Sequence, residues 1–196
     1  MRGPIPVLVL VGSISAACSG DSSGPGVAVN TFDDGTEGWT ISGDAEEEAT
    51  EPTYLESEGL PGGAIQGTDE VTGGTWYFEA PAAFLDAMSD GYEGSLGLDL
   101  RTSETTNPFD DADIVLVGAE TTLTFDLATD PAIDWTHYVV PLSDGAGWMQ
   151  TDTDQPPSAE TFRRVLSAAS RLRIRGEYSV GPDEGSLDNV RITEAG

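Results

Sequence analysis

From about residue 31 to residue 194 the chain is built of short runs in which apolar and polar residues alternate, broken by Gly, Asp, Asn and Pro. In "SLGLDLRTS", Leu96, Leu98 and Leu100 point one way while Gly97, Asp99 and Arg101 point the other, because successive side chains of a strand face opposite sides. "TTLTFDLA" repeats this with Leu123, Phe125 and Leu127. "WTHYVVPL", "SRLRIRGEY" and "GSLDNVRIT" predict three more strands. "DIVLVG", apolar on both faces, predicts a central strand covered on both sides. Turn signals such as "PGG", "TGG", "SDG" and "GPDEG" separate the runs, and this punctuation predicts an all-β sandwich or barrel.

Two stretches follow a helical period instead. "SAETFRRVLSAAS" sets Phe162, Val165, Leu166 and Ala169 at i, i+3, i+4 and i+7, with Pro156 and Pro157 ahead and Ser158 as N-cap. "APAAFLDAM" does the same more briefly with Phe84, Leu85 and Met88 after Pro81. The strand after the longer helix turns Leu172 and Ile174 inward, so Arg171, Arg173 and Arg175 are expected on its outer face. Those arginines stand out because the chain carries 35 acidic residues, eight arginines and no lysine, a formal net charge of -27. This acidity matches a halophilic type of protein, whose self-repulsion concentrated salt relieves, or simply an acidic extracellular one. Binding to nucleic acid or anionic lipid by charge is disfavoured.

The first residues, "MRGPIPVLVLVGSISAAC", have one positive charge, an apolar run of signal-peptide length and small residues before a cysteine. The run is too short to span a bilayer core, which needs about twenty residues. Residues 1–17 are therefore expected to be a signal peptide and residues 18–30, rich in Gly and Ser, a tether. Ser15-Ala16-Ala17-Cys18 resembles the lipobox of bacterial lipoproteins, which implies acylation of Cys18 and an exported chain held at the cell envelope or surface by a lipid anchor. The alternative is ordinary cleavage after Ala17, which leaves a free thiol. Cys18 is the only cysteine, so the chain forms no internal disulfide. The remaining 160 or so residues, 31–194, suffice for one domain with a real core.

The sequence is poor in catalytic patterns. His137 is the single histidine and is expected to be a surface strand residue, no Gly-x-Ser-x-Gly elbow is present, and a phosphate loop ending in Gly-Lys is impossible without lysine. Among 35 acids, carboxylate pairs arise by chance, and none stands out. Calcium is the one cofactor worth weighing, since it takes several oxygen ligands. "FDDGTEGW" and "SLDNVRI" resemble the first and last strands of galactose-binding-like jelly rolls, in which an acid from each strand often holds a structural calcium. That resemblance implies Asp33 or Asp34 with Asp188, against a plain turn and a solvated strand end. "FDDAD", with Asp110, Asp111 and Asp113, is a weaker candidate. For stacking on sugars, Trp39, Trp76, Tyr77, Trp135 and Trp148 are available. Trp39 and Trp76 are expected in the core, and Trp148, in the polar loop "DGAGWMQTDTD", is expected exposed and ligand-binding.

In order, "TWYFEAPAAFLDAMSDGYEGSLGLDLRTS", "DADIVLVGAETTLTFDL", "WTHYVVPL" and "TFRRVLSAASRLRIRGEYSVGPDEGSLDNVRI" resemble the laminin B domain, also called laminin IV type A. Trp76, Ala80, Pro81, Phe84, Leu85, Tyr92, Gly94, Asp113, Leu116, Gly118, Leu172, Ile174, Arg175 and Tyr178 fill that family's positions, while Asp86 replaces its usual Gly and the flanking cysteine-rich repeats are missing. The resemblance implies a β-sandwich of jelly-roll type and a non-enzymatic extracellular role, with no catalytic or ligand residues to carry over. Three functions stay open. The first is a surface-anchored binding or adhesion module for carbohydrate or a matrix component. The second is a structural subunit of an envelope assembly, docked through the Arg171, Arg173 and Arg175 stripe on an acidic protein partner. The third is a polysaccharide hydrolase, which would need two carboxylates converging in a cleft.

Overall fold

The computed structural model describes residues 26–43, 50–69 and 73–196. In chain order its strands are β1 (Gly26–Asn30), β2 (Thr40–Gly43), β3 (Thr53–Leu55), β4 (Ala64–Thr68), β5 (Trp76–Glu79), β6 (Ser95–Thr102), β7 (Ile114–Gly118), β8 (Thr121–Phe125), β9 (Thr136–Pro141), β10 (Met149–Gln150), β11 (Ala169–Arg175) and β12 (Glu184–Thr193). They form two antiparallel sheets. The first runs β3-β4-β12-β6-β9, with β1 added along the second half of β12; the second runs β10-β8-β7-β11-β5-β2. Residues 1–17, expected to be a signal peptide, and Cys18 lie outside the described residues, whereas residues 26–30, assigned to the tether by composition, are the strand β1 paired with β12.

Alternation makes the core. Leu96, Leu98 and Leu100 of β6 are buried against the other sheet, as are Leu116 of β7, Leu123 of β8 and Leu172 and Ile174 of β11. Trp39 packs edge-on to Phe32 and Phe84, and Trp76 edge-on to Phe78. The Trp76 indole fits only because three strand-end residues lack side chains: a Cβ on Gly176 would lie 1.9 Å from the ring, one on Gly67 2.5 Å and one on Gly185 3.0 Å. Strand β7 is central, between β8 and β11, but it is not covered on both faces: Val115 and Val117 stay half-buried on the outer side.

Helix α1 (Ala82–Leu85) and a 3-10 turn (Met88–Gly91) bury Phe84 and Met88. Helix α2 (Ala159–Ser167) is capped by Ser158, whose hydroxyl accepts from the Thr161 amide, and it turns Phe162, Val165 and Leu166 inward. It stops before Ala169, which the period had placed on the helix, because that residue already pairs with Gly118 as the first residue of β11. Among the described residues no helix is long and apolar enough to cross a membrane.

Candidate functional site

Register builds a polar face on the first sheet from residues far apart in sequence. Ser186 of β12 stands opposite Gln66 of β4 on one side and Arg101 of β6 on the other, so the three form one cross-strand row on the outer face. The next row is Asp188, Asp99 and His137. A bulge between Asp188 and Arg191, with Asn189 in the left-handed region at φ 50°, re-aims both Asp188 and Asn189.

The loop between β3 and β4 folds over this face and is tied down at both ends of the exposed rows. Asp188 Oδ2 accepts from the Leu60 amide at 2.5 Å, and Asn189 Nδ2 donates to the Leu60 carbonyl at 2.8 Å. Further along, Glu58 Oε2 binds Arg101 Nη2 at 2.7 Å, while the Glu58 carbonyl accepts from Trp135 Nε1 at 3.1 Å. The Arg101 guanidinium stacks 4.8 Å from the Trp135 ring centre. Between loop and sheet lies a cleft of about 200 Å³ lined by Glu58, Gln66, Arg101, Thr102, Ser103, Ile133, Glu184 and Ser186. Ile133, Leu60 and Val139, each about half exposed, flank the same face. Hydroxyls and an amide beside a stacked indole and an exposed aliphatic side chain are a set that can hydrogen-bond a polyhydroxylated chain and pack on its apolar faces.

Asp188 is completely buried, and burial pushes its carboxyl up to about 6. Amide hydrogen bonds from Leu60 and Asn189 oppose the rise, and the charges of Asp99 and Asp33 add to it. Asp99 is itself buried, shared between Asn189 Nδ2 at 2.9 Å and His137 Nδ1 at 2.7 Å; His137 is on the surface of its strand. A carboxyl with a raised folded pKa favours the protonated fold, so its contribution falls as pH climbs from the unfolded value near 4 to about 6 and is constant above. The loss amounts to about 2–3 kcal/mol. Asp33→Asn, in chelator, is therefore expected to lower the Asp188 midpoint in a carboxyl NMR titration only slightly and to leave most of the slope between pH 4 and 6, because burial is the larger cause; a wild-type midpoint near 4 would refute this.

The structure brings two of the proposed calcium ligands to one place. Asp33 Oδ1 lies 1.9 Å from where a Cβ on Gly62 would be and Asp188 Oδ2 lies 2.7 Å from one on Gly59, so both carboxylates abut the same short loop. Asp34 is exposed beside them. Among the described residues no group of three His, Cys, Asp or Glu side chains is placed to hold a metal. A calcium ion at Asp33 and Asp188 would thus draw most of its oxygens from the main chain or water.

The other assigned residues go elsewhere. Trp148 is not exposed: it is fully buried, packed against Phe125 and Phe162 with Nε1 donating to the Pro141 carbonyl at 2.8 Å. Arg171 and Arg173 lie on the outer face of the second sheet, and both bind Glu79, through its Oε1 at 3.0 Å and its Oε2 at 3.1 Å. Arg175 does not share that exposed face. It is 2% accessible beneath the segment before β7, donating to the carbonyls of Phe109, Asp111 and Glu177 and stacked between the rings of Phe109 and Tyr178. It also approaches Asp113 and forms the floor of a second, larger cleft of about 530 Å³ that Asp110, Asp111, Asp126 and Asp130 line. Of the first cleft, the sequence singled out only Arg101 as an outward strand residue and Trp135 among the aromatics; Glu58, Gln66 and Ser186 carried no local signal.

Several solved structures share this architecture. The L4b domain of human laminin alpha-2 aligns with a TM-score of 0.64 over 80% of this chain and 90% of that domain, at 12% identity. A family 11 carbohydrate-binding module from Clostridium thermocellum, solved in complex with a β-1,3-1,4-mixed-linked tetrasaccharide, aligns with a TM-score of 0.51 over 85% of this chain and 95% of the module, at 11% identity. A β-1,2-glucanase from Parabacteroides distasonis aligns with a TM-score of 0.53 over 85% of this chain at 16% identity, but the chain spans only 24% of the enzyme. At such identities these likenesses establish the sandwich fold alone. No curated protein matches by sequence. The pattern of the Laminin B (Domain IV) family, however, matches residues 77–196, from within β5 through β12, and the chain belongs to that family.

Proposed function

We propose that this protein is a non-enzymatic binding module that holds carbohydrate on the outer face of its first sheet, displayed at the cell surface by an acyl anchor on Cys18. The observation that carries the reading is the cleft in which Gln66, Ser186 and Arg101 form one row beside Trp135. The likeness to a carbohydrate-binding module solved with a tetrasaccharide supports it. The envelope-subunit alternative, docked through Arg171, Arg173 and Arg175, is less favoured because Glu79 already holds the first two guanidinium groups and the third is buried. Calcium, if held by Asp33 and Asp188, would pin the loop that forms one wall of the cleft, since that loop is bonded to Asp188.

The test is calorimetric titration of residues 19–196 with a panel of polysaccharides in molar salt, first with calcium and then with chelator. Saturable binding to one class is expected, with Arg101→Ala and Trp135→Ala each weakening it about tenfold or more. Loss on chelation would place calcium in the site. Silence across the panel would refute the carbohydrate reading, and absence of acyl chains on Cys18 by mass spectrometry would refute the anchor.

A further inference from the structure

We infer that Glu58 sets the charge class of the ligand, restricting the first-sheet cleft to uncharged polysaccharide. The inference rests on the carbohydrate reading above and adds to it a specificity-determining residue.

An anionic sugar, carrying a carboxylate or a sulfate, needs a cation to replace the water it loses on binding. A guanidinium is the best fitted group, because its fork matches both anions. Arg101 is the guanidinium that lines this cleft, and its Nη2 is held by Glu58 at 2.7 Å. In the neighbouring row the imidazole of His137 is likewise held by Asp99 at 2.7 Å. Glu184 adds a second carboxylate to the cleft wall. A few residues before Ile133 in sequence, Asp126 and Asp130 line the other cleft. An incoming anion therefore meets an Arg101 already paired with Glu58 and a surplus of carboxylates, within a chain of net charge -27. Gln66 and Ser103, which line the cleft and can donate to or accept from hydroxyls, are unaffected by that pairing.

Glu58 is the member that can be changed without disturbing the fold. Its side chain is 56% exposed, and the bond that fixes Trp135 uses the Glu58 carbonyl, which a side-chain substitution leaves in place. Glu58→Gln keeps the length and polarity of the side chain and removes the charge that occupies Arg101.

The experiment compares the wild-type protein with Glu58→Gln, at equal melting temperature, against a neutral β-glucan, a neutral xylan, a polyuronate and a sulfated polysaccharide, each in roughly 0.1 M and 1 M salt. The wild type is expected to bind a neutral polymer with an affinity that salt leaves unchanged, and the anionic polymers at least about tenfold more weakly. Glu58→Gln is expected to shift the selectivity about tenfold toward the anionic polymers at low salt, a shift that 1 M salt or a second change, Arg101→Ala, removes. Wild-type binding of anionic polymers as tight as neutral ones would overturn the inference and leave the carbohydrate reading standing. So would an unchanged selectivity in Glu58→Gln. Binding of neither class by either protein would overturn the carbohydrate reading itself, and the inference with it.

Discussion

Arg175→Met is expected to destabilise the domain by about 3–5 kcal/mol, the range found when one partner of a buried charged network is removed. The methionine fills much of the volume between Phe109 and Tyr178, so the deficit comes from polar groups rather than from a cavity. Three carbonyls, those of Phe109, Asp111 and Glu177, lose their donor, and the buried Asp113 carboxylate loses its nearby cation. For a domain of this size the melting temperature should drop by roughly 10–15 °C. Arg175→Lys should recover only part of this, since an ammonium cannot reach three carbonyls arranged around a planar fork. Burial already raises the Asp113 carboxyl, against the Leu127 amide and Arg175, which lower it. Without Arg175 it rises further, and the neutral acid becomes the better fit to the fold. The deficit of Arg175→Met should therefore be largest at neutral pH and shrink on acidification, and Arg175→Met with Asp113→Asn should be more stable than Arg175→Met alone. Denaturant titrations of the two variants at pH 5 and pH 7.5 check both points; a loss below 1 kcal/mol would mean that the network is solvated.

Arg175 also shows where alternation stops being informative. Arg171, Arg173 and Arg175 stand at every second position of one strand, and period two correctly sends all three to the same side of β11. What separates them is the chain passing overhead. Residues 109–113 cross the end of β11 and bury Arg175, while Arg171 and Arg173 stay at the surface on Glu79. Nothing near residue 175 in sequence encodes that cover, because it arrives from more than sixty residues away. The family resemblance did mark Arg175, and its structural role explains the mark: it clamps the segment ahead of β7 to the end of β11 and Glu177.

The fold was legible for the opposite reason. The inward positions of β6, β8 and β11 depend only on neighbours one and two residues away, so their leucines and isoleucines announce themselves locally. The Ser158 cap and the spacing of Phe162, Val165 and Leu166 announce α2 in the same way. The cleft on the first sheet depends on register instead. Gln66, Ser186 and Arg101 become neighbours only when β4 and β6 pair with β12, and Glu58 joins them because Asp188 and Asn189 hold the loop after β3 onto that face. None of these four side chains is unusual in its own segment. Asp188 was picked out by its place in the last strand, and its position in the fold shows why such a residue matters even before any metal is considered.

Trp148→Ala is expected to cost about 3–5 kcal/mol, as for other large-to-small changes at fully buried aromatic sites. An exposed stacking residue, which its polar surroundings in "DGAGWMQTDTD" suggested, would cost almost nothing. Local composition misleads here because the walls of the pocket come from other segments: Phe125 ends β8, Phe162 lies on α2, and the Pro141 carbonyl at the end of β9 accepts the indole N–H. The loop is polar because its other residues face water, while the indole closes the space between α2 and the second sheet. Trp148→Phe should keep most of the packing and lose the hydrogen bond, leaving the Pro141 carbonyl unpaired at a cost of about 1–3 kcal/mol. The same variants separate stability from binding. If the ligand face is on the first sheet, Trp148→Phe should bind polysaccharide like the wild type while melting at a lower temperature, whereas Trp135→Ala should melt like the wild type and bind more weakly. Thermal melts paired with calorimetric titration of both variants decide the assignment, and the reverse pattern would return the ligand to the loop around Trp148.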